Sequence, residues 1–377
     1  MKILYFDFDI PYLIKDANYP VGGAAVEWLN WIRGFQKNNH EVGILAWKGA
    51  SAFMGDDVDK YPVVETFGRD EGIRYLRIFN LRLPRFMKAI RDYQPDVVVQ
   101  GCAAITTGLL ALAAQQMGVP FVYRAANDMD TDDRYKTRLS SLEAYFYQLG
   151  LRRSQGIVCQ NQYQYQKFKE QFPDKPAVIL HNPYEMPSDP ALYPIEKRKY
   201  IAWLGVFQPQ KNMPVLCEVV KALPQYQFKI GGKMSKTSVD DTTRRALKEL
   251  ENAPNVTFEG YIKRTEIAPF LSRAYALLNT SHYEGFSNTF LEAFATGTPI
   301  VTTRRVDPDH IIEHNQLGRV SEDYQGLSNC IEQVVEHKSY HDMAERCQKY
   351  VTEKHNPTAL AGEFANFLTS LQHQHQH

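Results

Sequence analysis

Glu284-Gly285-Phe286-Ser287-Asn288-Thr289-Phe290-Leu291-Glu292-Ala293-Phe294-Ala295-Thr296-Gly297-Thr298-Pro299-Ile300-Val301 reads as loop, helix, turn and strand. Ser287 is a good N-cap, since a serine hydroxyl there accepts from an N–H two or three residues on. Phe290 and Phe294 fall on one helical face at i,i+4 spacing. Gly297 suits the left-handed residue after the last turn, and Pro299 bars the helix from continuing. Ile300 and Val301 then open a buried strand.

The two carboxylates differ in setting. Glu284 lies in the loop ahead of the helix, and Glu292 sits about one turn inside it. Between them the backbone N–H groups of Gly285, Phe286, Ser287, Asn288 and Thr289 line the helix mouth. Such a mouth attracts anions, because unpaired donors and the helix dipole both favour negative charge. An acid on either side is awkward for bare phosphate. It suits a ligand with hydroxyls at both ends and phosphate between them: a sugar, a diphosphate and a ribose. The plainer alternative is a surface helix with two solvated glutamates.

The E-x7-E pair Glu284/Glu292, with Gly285-Phe286 and the Gly297-Thr298-Pro299 exit, resembles the donor-sugar signature of family-4 retaining glycosyltransferases. The rest of the chain follows that family's order over nearly its full length. The resemblance implies the GT-B fold: α/β, with two Rossmann-like, doubly wound parallel-sheet domains facing across a cleft. It assigns residues 1–185 to an acceptor-side domain and 186–355 to a nucleotide-sugar domain. Residues 356–372 become a closing helix that returns to the first domain, and 373–377 a disordered tail. Glu284 would orient the sugar and Glu292 hold the ribose of a UDP- or GDP-sugar. The acceptor would be a hydroxyl of a glycan or a lipid-linked carrier. The resemblance calls for no cofactor and no metal, since a GT-B enzyme can neutralise diphosphate with protein groups.

Composition agrees with two globular domains. The chain has 377 residues, 44% hydrophobic and 23% charged. Lys+Arg and Asp+Glu are both 43, which argues against a nucleic-acid partner held by bulk charge. Five cysteines without C-x-x-C spacing read as reduced thiols of a cytoplasmic protein. The apolar run at the N-terminus is short and broken by Asp7 and Asp9, unlike a signal peptide.

In the first half, a strand over 2–8 leads through a proline-containing loop to Gly22-Gly23 and a helix from Val26, then a strand over 41–47. This is the opening of a doubly wound domain. Gly22 and Gly23 let a ligand approach backbone N–H groups, or else pack helix on sheet; in the family this turn lines the cleft near the donor phosphates. Residues 69–93 read as a basic helix interrupted by Pro84. Arg69, Arg74, Arg77, Arg82, Arg85, Lys88 and Arg91 interleave there with apolar residues, which suits either an anionic membrane surface or a solvated face. After a strand over 119–124 comes Asn127-Asp128-Met129-Asp130-Thr131-Asp132. Its D-x-D strings read as turn formers or hydroxyl binders rather than a metal site. Asn127 and Asp128 stand where family members often place a histidine, which makes Asp128 the acceptor-side candidate. A helix over 134–153 and two further βα steps complete this half.

The proline-rich stretch 181–190 reads as the linker. Beyond it, Lys211 lies in a loop between a strand over 200–204 and a helix, a good place for a movable charge on a diphosphate. In the family this loop reads Gly-Arg…Lys, with both side chains on phosphate. Here Gly205 is followed by Val206, and Lys233, Lys263, Arg264 and Arg304 are the candidate substitutes. Gly231, Gly232, Gly260 and Tyr261 read as turns bordering the base pocket. In the family's usual mechanism the acceptor attacks on the leaving-group face, and Lys211 with the helix mouth stabilises the departing diphosphate. Two other activities suit the same fold: a nucleotide-sugar 2-epimerase, and a non-catalytic subunit that keeps the donor pocket. An unrelated nucleotide-binding α/β protein is the third alternative.

Overall fold

The computed structural model describes residues 1–73, 76–187, 192–235 and 239–374. The chain divides into two compact units, Met1–Glu185 with Asn356–His377, and Met186–His355. Part of the expected linker, 188–190, and the end of the expected tail, 375–377, lie outside the described residues.

The first unit holds a seven-stranded sheet, ordered β3-β2-β1-β4-β5-β6-β7. Its strands are β1 (Lys2–Phe6), β2 (Glu41–Ala46), β3 (Val63–Glu65), β4 (Val97–Gly101), β5 (Phe121–Arg124), β6 (Gly156–Cys159) and β7 (Ala177–Ile179). All are parallel; Ile3, for instance, is in register with Val97 and with Val42. Strands such as Val97-Val98-Val99 are buried on both faces, as parallel strands covered by helices must be. The helix Gly23–Lys37 packs Trp28, Trp31 and Phe35 around Phe364 of the helix Pro357–Gln374, which belongs to this unit. Gly34 permits that contact, because a Cβ there would lie 2.3 Å from the Pro357 carbonyl oxygen.

Several elements depart from the sequence reading. The loop after β1 contains a short helix, Ile10–Lys15, with Pro11 in its first turn, where the missing N–H has no intrahelical partner to lose. The basic segment is helical only from Ile78. A π-turn, Ile78–Arg82, feeds the helix Leu83–Tyr93, and Pro84 opens that helix rather than interrupting it. Residues 74–75, including Arg74, lie outside the described residues. The expected helix over 134–153 is two helices, Tyr135–Arg138 and Ser141–Arg153. Ser140 starts the second through a capping box with Glu143.

The second unit repeats the architecture with six parallel strands, ordered β10-β9-β8-β11-β12-β13. They are β8 (Tyr200–Phe207), β9 (Phe228–Met234), β10 (Val256–Gly260), β11 (Ala274–Leu278), β12 (Ile300–Thr303) and β13 (Gly318–Ser321). β8 runs three residues past the expected end at 204. Gly231 and Gly232, expected in a turn, lie inside β9. Glycine is required there because a Cβ on Gly232 would sit 2.0 Å from the Gly205 carbonyl oxygen of the paired strand. In both sheets the order reverses beside the first strand, at β1/β4 and at β8/β11. Ligands of open α/β sheets bind outside the carboxyl ends of the strands at that switch point.

Candidate active site

The switch point of the second unit brings together two of the residues singled out above, Lys211 and Glu284. β8 leaves through Gln208 into a 3-10 turn, Pro209–Lys211, and β11 leaves through Asn279-Thr280-Ser281. The two loops are laced together. Thr280 Oγ1 donates to the Lys211 carbonyl at 2.7 Å and accepts from Trp203 Nε1 at 3.1 Å. Gln210 Nε2 donates to the Tyr283 carbonyl at 2.8 Å, and His282 N to the Gln210 carbonyl at 2.9 Å. Lys211 Nζ thereby meets Glu284 Oε1 at 2.5 Å, and Ser281 Oγ donates to the same oxygen at 2.7 Å. The lysine stem passes Gly205, where a Cβ would lie 3.4 Å from Lys211 Cε, an ordinary contact distance. The lysine and glutamate side chains are only 13% and 12% exposed, so neither is a solvated surface charge.

The helix that follows is Asn288–Ala295. Ser287 occupies the N-cap position, but its hydroxyl does not take a helix N–H. It pairs instead with Thr289 Oγ1 at 2.8 Å, which corrects the capping role read from sequence. Gly285 and Phe286 precede the helix; Phe286 is buried with its ring 5.2 Å from that of His355, so its side chain serves packing. Asn288 and Thr289 remain partly exposed at the first turn. Gly297 closes the helix at φ +63°, as its position requires. Arg198, which no motif in the sequence marks, is buried against that end. It donates to the Gly297 carbonyl at 2.9 Å, the Ala274 carbonyl at 2.7 Å and Thr298 Oγ1 at 2.9 Å. A guanidinium there satisfies helix-end carbonyls and complements the dipole.

Glu292 lies one turn into the helix and is partly exposed at the surface. Desolvation of the carboxyl among its packed neighbours pushes it up to about 7, with the Arg264 charge opposing the shift. Tyr261 is exposed after the Gly260 turn, and Lys233 Nζ rests 4.8 Å from the centre of its ring. Arg304, one of the candidate cations, is held by Glu322 and Glu313. In the same region Asp307, His310 and Glu313 bring ligand atoms within 4.8 Å of one another, but Asp307 there accepts the N–H groups of Ile312 and Glu313 as a helix cap.

In the first unit, Gly22 is the N-cap of the helix Gly23–Lys37, and a Cβ on it would meet nothing within 4 Å. Asn127 caps the turn Asp128–Asp130 by accepting from Met129 N at 3.0 Å. Asp128 is half-buried and accepts from Asn161 Nδ2 at 3.0 Å and Gln164 Nε2 at 2.9 Å. Desolvation raises its carboxyl to about 6 against those two bonds. The other acids are engaged: Asp130 by Arg138 at 2.9 Å, and Asp132 by Arg134 and Tyr163. Arg124 is fully buried in an ion pair with Glu27, braced by Asn182 and Gln160. Ahead of the helix Leu83–Tyr93, Ile73, Leu76 and Phe79 are 72%, 57% and 56% exposed, and the Phe79 ring lies 6.1 Å from that of Phe146. None of the described helices is long and apolar enough to cross a membrane.

Two doubly wound sheets with this site are the architecture of GT-B glycosyltransferases. Solved structures of that class share it: HepE of Anabaena, solved with UDP and glucose, superposes with a TM-score of 0.73 at 17% identity, over 98% of this chain and 100% of that one. Sucrose-phosphate synthase of Thermosynechococcus elongatus gives 0.74 at 15% identity, over 98% and 99%. The model for glycosyl transferases group 1 matches residues 188–369, and that for glycosyltransferase family 4 matches residues 21–186. The chain belongs to this family of glycosyltransferases. Among curated relatives, a probable sucrose-phosphate synthase of Thermosipho melanesiensis is 24% identical over 98% of this chain and 96% of its own length. An uncharacterised glycosyltransferase of Methanosarcina mazei is 23% identical over 74% of each.

Proposed function

We infer that the protein is a retaining glycosyltransferase that moves a hexose from a UDP- or GDP-sugar to a hydroxyl of a glycan or lipid-linked acceptor. The observation that carries this reading is the contact of Lys211 with Glu284 at the β8/β11 switch point, beside the mouth of the helix Asn288–Ala295. Glu284 has one oxygen taken by Lys211 and Ser281, so the other can accept from a sugar hydroxyl. The diphosphate then lies between Lys211 and the first-turn N–H groups of 287–289, where charge growing on the leaving group is stabilised by donors already in place. Glu292, one turn on, takes the ribose hydroxyls. That HepE was solved with UDP and glucose supports a nucleotide-sugar donor. On the acceptor side Asp128 is the candidate hydroxyl-orienting group, fixed by Asn161 and Gln164.

The test is a thermal-shift panel of UDP, GDP, ADP and their sugars, since a ligand that binds only the folded state raises the midpoint by mass action. A responding sugar nucleotide is then followed by proton NMR with glycan acceptors. An α-linked donor giving an α-linked product supports retention; a β-linked product removes it. Epimerisation without acceptor, or binding without any turnover, favours the other two activities.

The exposed Ile73, Leu76 and Phe79, with exposed Arg85 and Arg91 nearby in sequence, match an anionic bilayer surface in both hydrophobicity and charge. The protein would then work at the cytoplasmic face of a membrane. Co-sedimentation with phosphatidylglycerol vesicles should exceed that with phosphatidylcholine and fall in Leu76→Ser/Phe79→Ser. Equal binding to both vesicles, or none, rejects the surface.

A further inference from the structure

A diphosphate brings at least two negative charges, whereas the Lys211 ammonium already faces Glu284. Strand register brings up a second cation. β8 and β9 pair Gly205 with Gly232 and Val206 with Lys233, and register partners on adjacent strands project from the same face. Val206 is 38% exposed, so that face is open at the end of the sheet. The Lys211 stem takes the other face, where it lies against the bare Cα of Gly205. Lys211 and Lys233 therefore flank the carboxyl end of β8 from its two sides.

Lys233 is also available. Its ammonium rests over the Tyr261 ring, and Tyr261 is 44% exposed. Among the described residues no carboxylate lies within ion-pair distance of it, whereas nearby Lys229 is held by Glu259, and Arg304 by Glu322 and Glu313. A cation over an exposed ring is weakly held, and a flexible four-carbon stem lets it leave for a stronger anion.

We propose that Lys233 is the second diphosphate-binding cation, serving the position beside Val206 from the neighbouring strand. This rests on the donor reading above. The experiment is calorimetry with whichever of UDP, GDP and ADP binds the wild type, together with the matching nucleoside. Lys233→Ala should weaken the diphosphate roughly tenfold or more, as loss of a charge-assisted contact does, and leave the nucleoside within about twofold. Lys233→Arg should restore most of the loss. So should Val206→Arg placed on Lys233→Ala, because the two positions are register partners. Unchanged diphosphate affinity in Lys233→Ala overturns this inference alone. Equal loss of diphosphate and nucleoside also overturns it, as a purely structural effect. A wild type that binds none of the three diphosphates overturns the donor reading and this inference with it.

Discussion

Replacing Lys211 by Met tests whether the Lys211–Glu284 pair exists for stability or for chemistry. Removing one partner of a fully buried pair costs about 3–5 kcal/mol, because a charge is left without compensation. The side chains here are 13% and 12% exposed, and Ser281 still donates to the glutamate, so about 2 kcal/mol is the expectation. For a unit of this size that is a fall of about 4–8 °C in Tm. Glu284→Gln should cost less, since the orphaned lysine has a long stem that reaches water. The double variant Lys211→Met/Glu284→Gln leaves no orphaned charge and keeps the Ser281 contact to an amide oxygen. It should recover to within about 2 °C of wild type.

Activity should not follow stability. Donor turnover, read as release of the nucleoside diphosphate, should drop about 10²–10³-fold in Lys211→Met and stay low in the double variant. Differential scanning fluorimetry and a coupled diphosphate assay on the same four proteins give both readouts. A double variant as destabilised as the sum of the singles refutes the account of an isolated charge pair. A double variant that regains activity along with stability refutes the role of Lys211 at the diphosphate.

Glu292 predicts a pH dependence. With its carboxyl raised to about 7, ribose hydroxyls that donate to the ionised form should bind about tenfold more weakly at pH 6 than at pH 8, and Glu292→Gln should flatten the wild-type excess in a titration of the matching nucleoside. Gly232→Ala should destabilise the second unit severely, by about 3 kcal/mol or more, because its Cβ falls 2.0 Å from the Gly205 carbonyl; urea denaturation reads this directly. Arg124→Met should cost about 3–5 kcal/mol at neutral pH by stranding Glu27. Burial already raises the Glu27 carboxyl, and losing the arginine raises it further. A carboxyl raised in the folded state opposes folding above its pKa, so the variant should regain stability relative to wild type as pH falls.

Much of the fold was legible because its signals are local. Buried runs such as Val97-Val98-Val99, and the Gly297-Pro299 helix exit, state their structure within a few residues. Where reading failed, a competing local rule won. Pro84 looks like a breaker, but a π-turn ahead of it makes it a first-turn residue, where proline is welcome. Gly231-Gly232 looks like a turn, but it stays in the strand, Gly232 clearing the Gly205 carbonyl of β8 and Gly231 the Ile262 side chain. Ser287 sits where a cap belongs, yet Thr289 offers its hydroxyl a nearer partner. Only the Gly232 case depends on an atom from another segment; the other two turn on neighbours a few residues away whose competing local preferences a pattern rule does not rank.

The contact at the centre of the candidate site was illegible in the sequence as a geometry, and the reason is topological. Lys211 and Glu284 are 73 positions apart, and they meet only because β8 and β11 are neighbours at the switch point. The same step makes Val206 and Lys233 neighbours, 27 positions apart, through the β8/β9 register. A missing cation on one strand therefore does not imply a missing cation in the site. Parallel strands that end together present their last side chains as one surface, and a charge absent from one strand can be supplied by the next. Motif comparison along the chain scores Val206 as a loss, whereas comparison across the sheet finds Lys233 beside it. If Lys233 serves as proposed, the competence of the site turns on charge at the strand ends rather than on the identity of any single position.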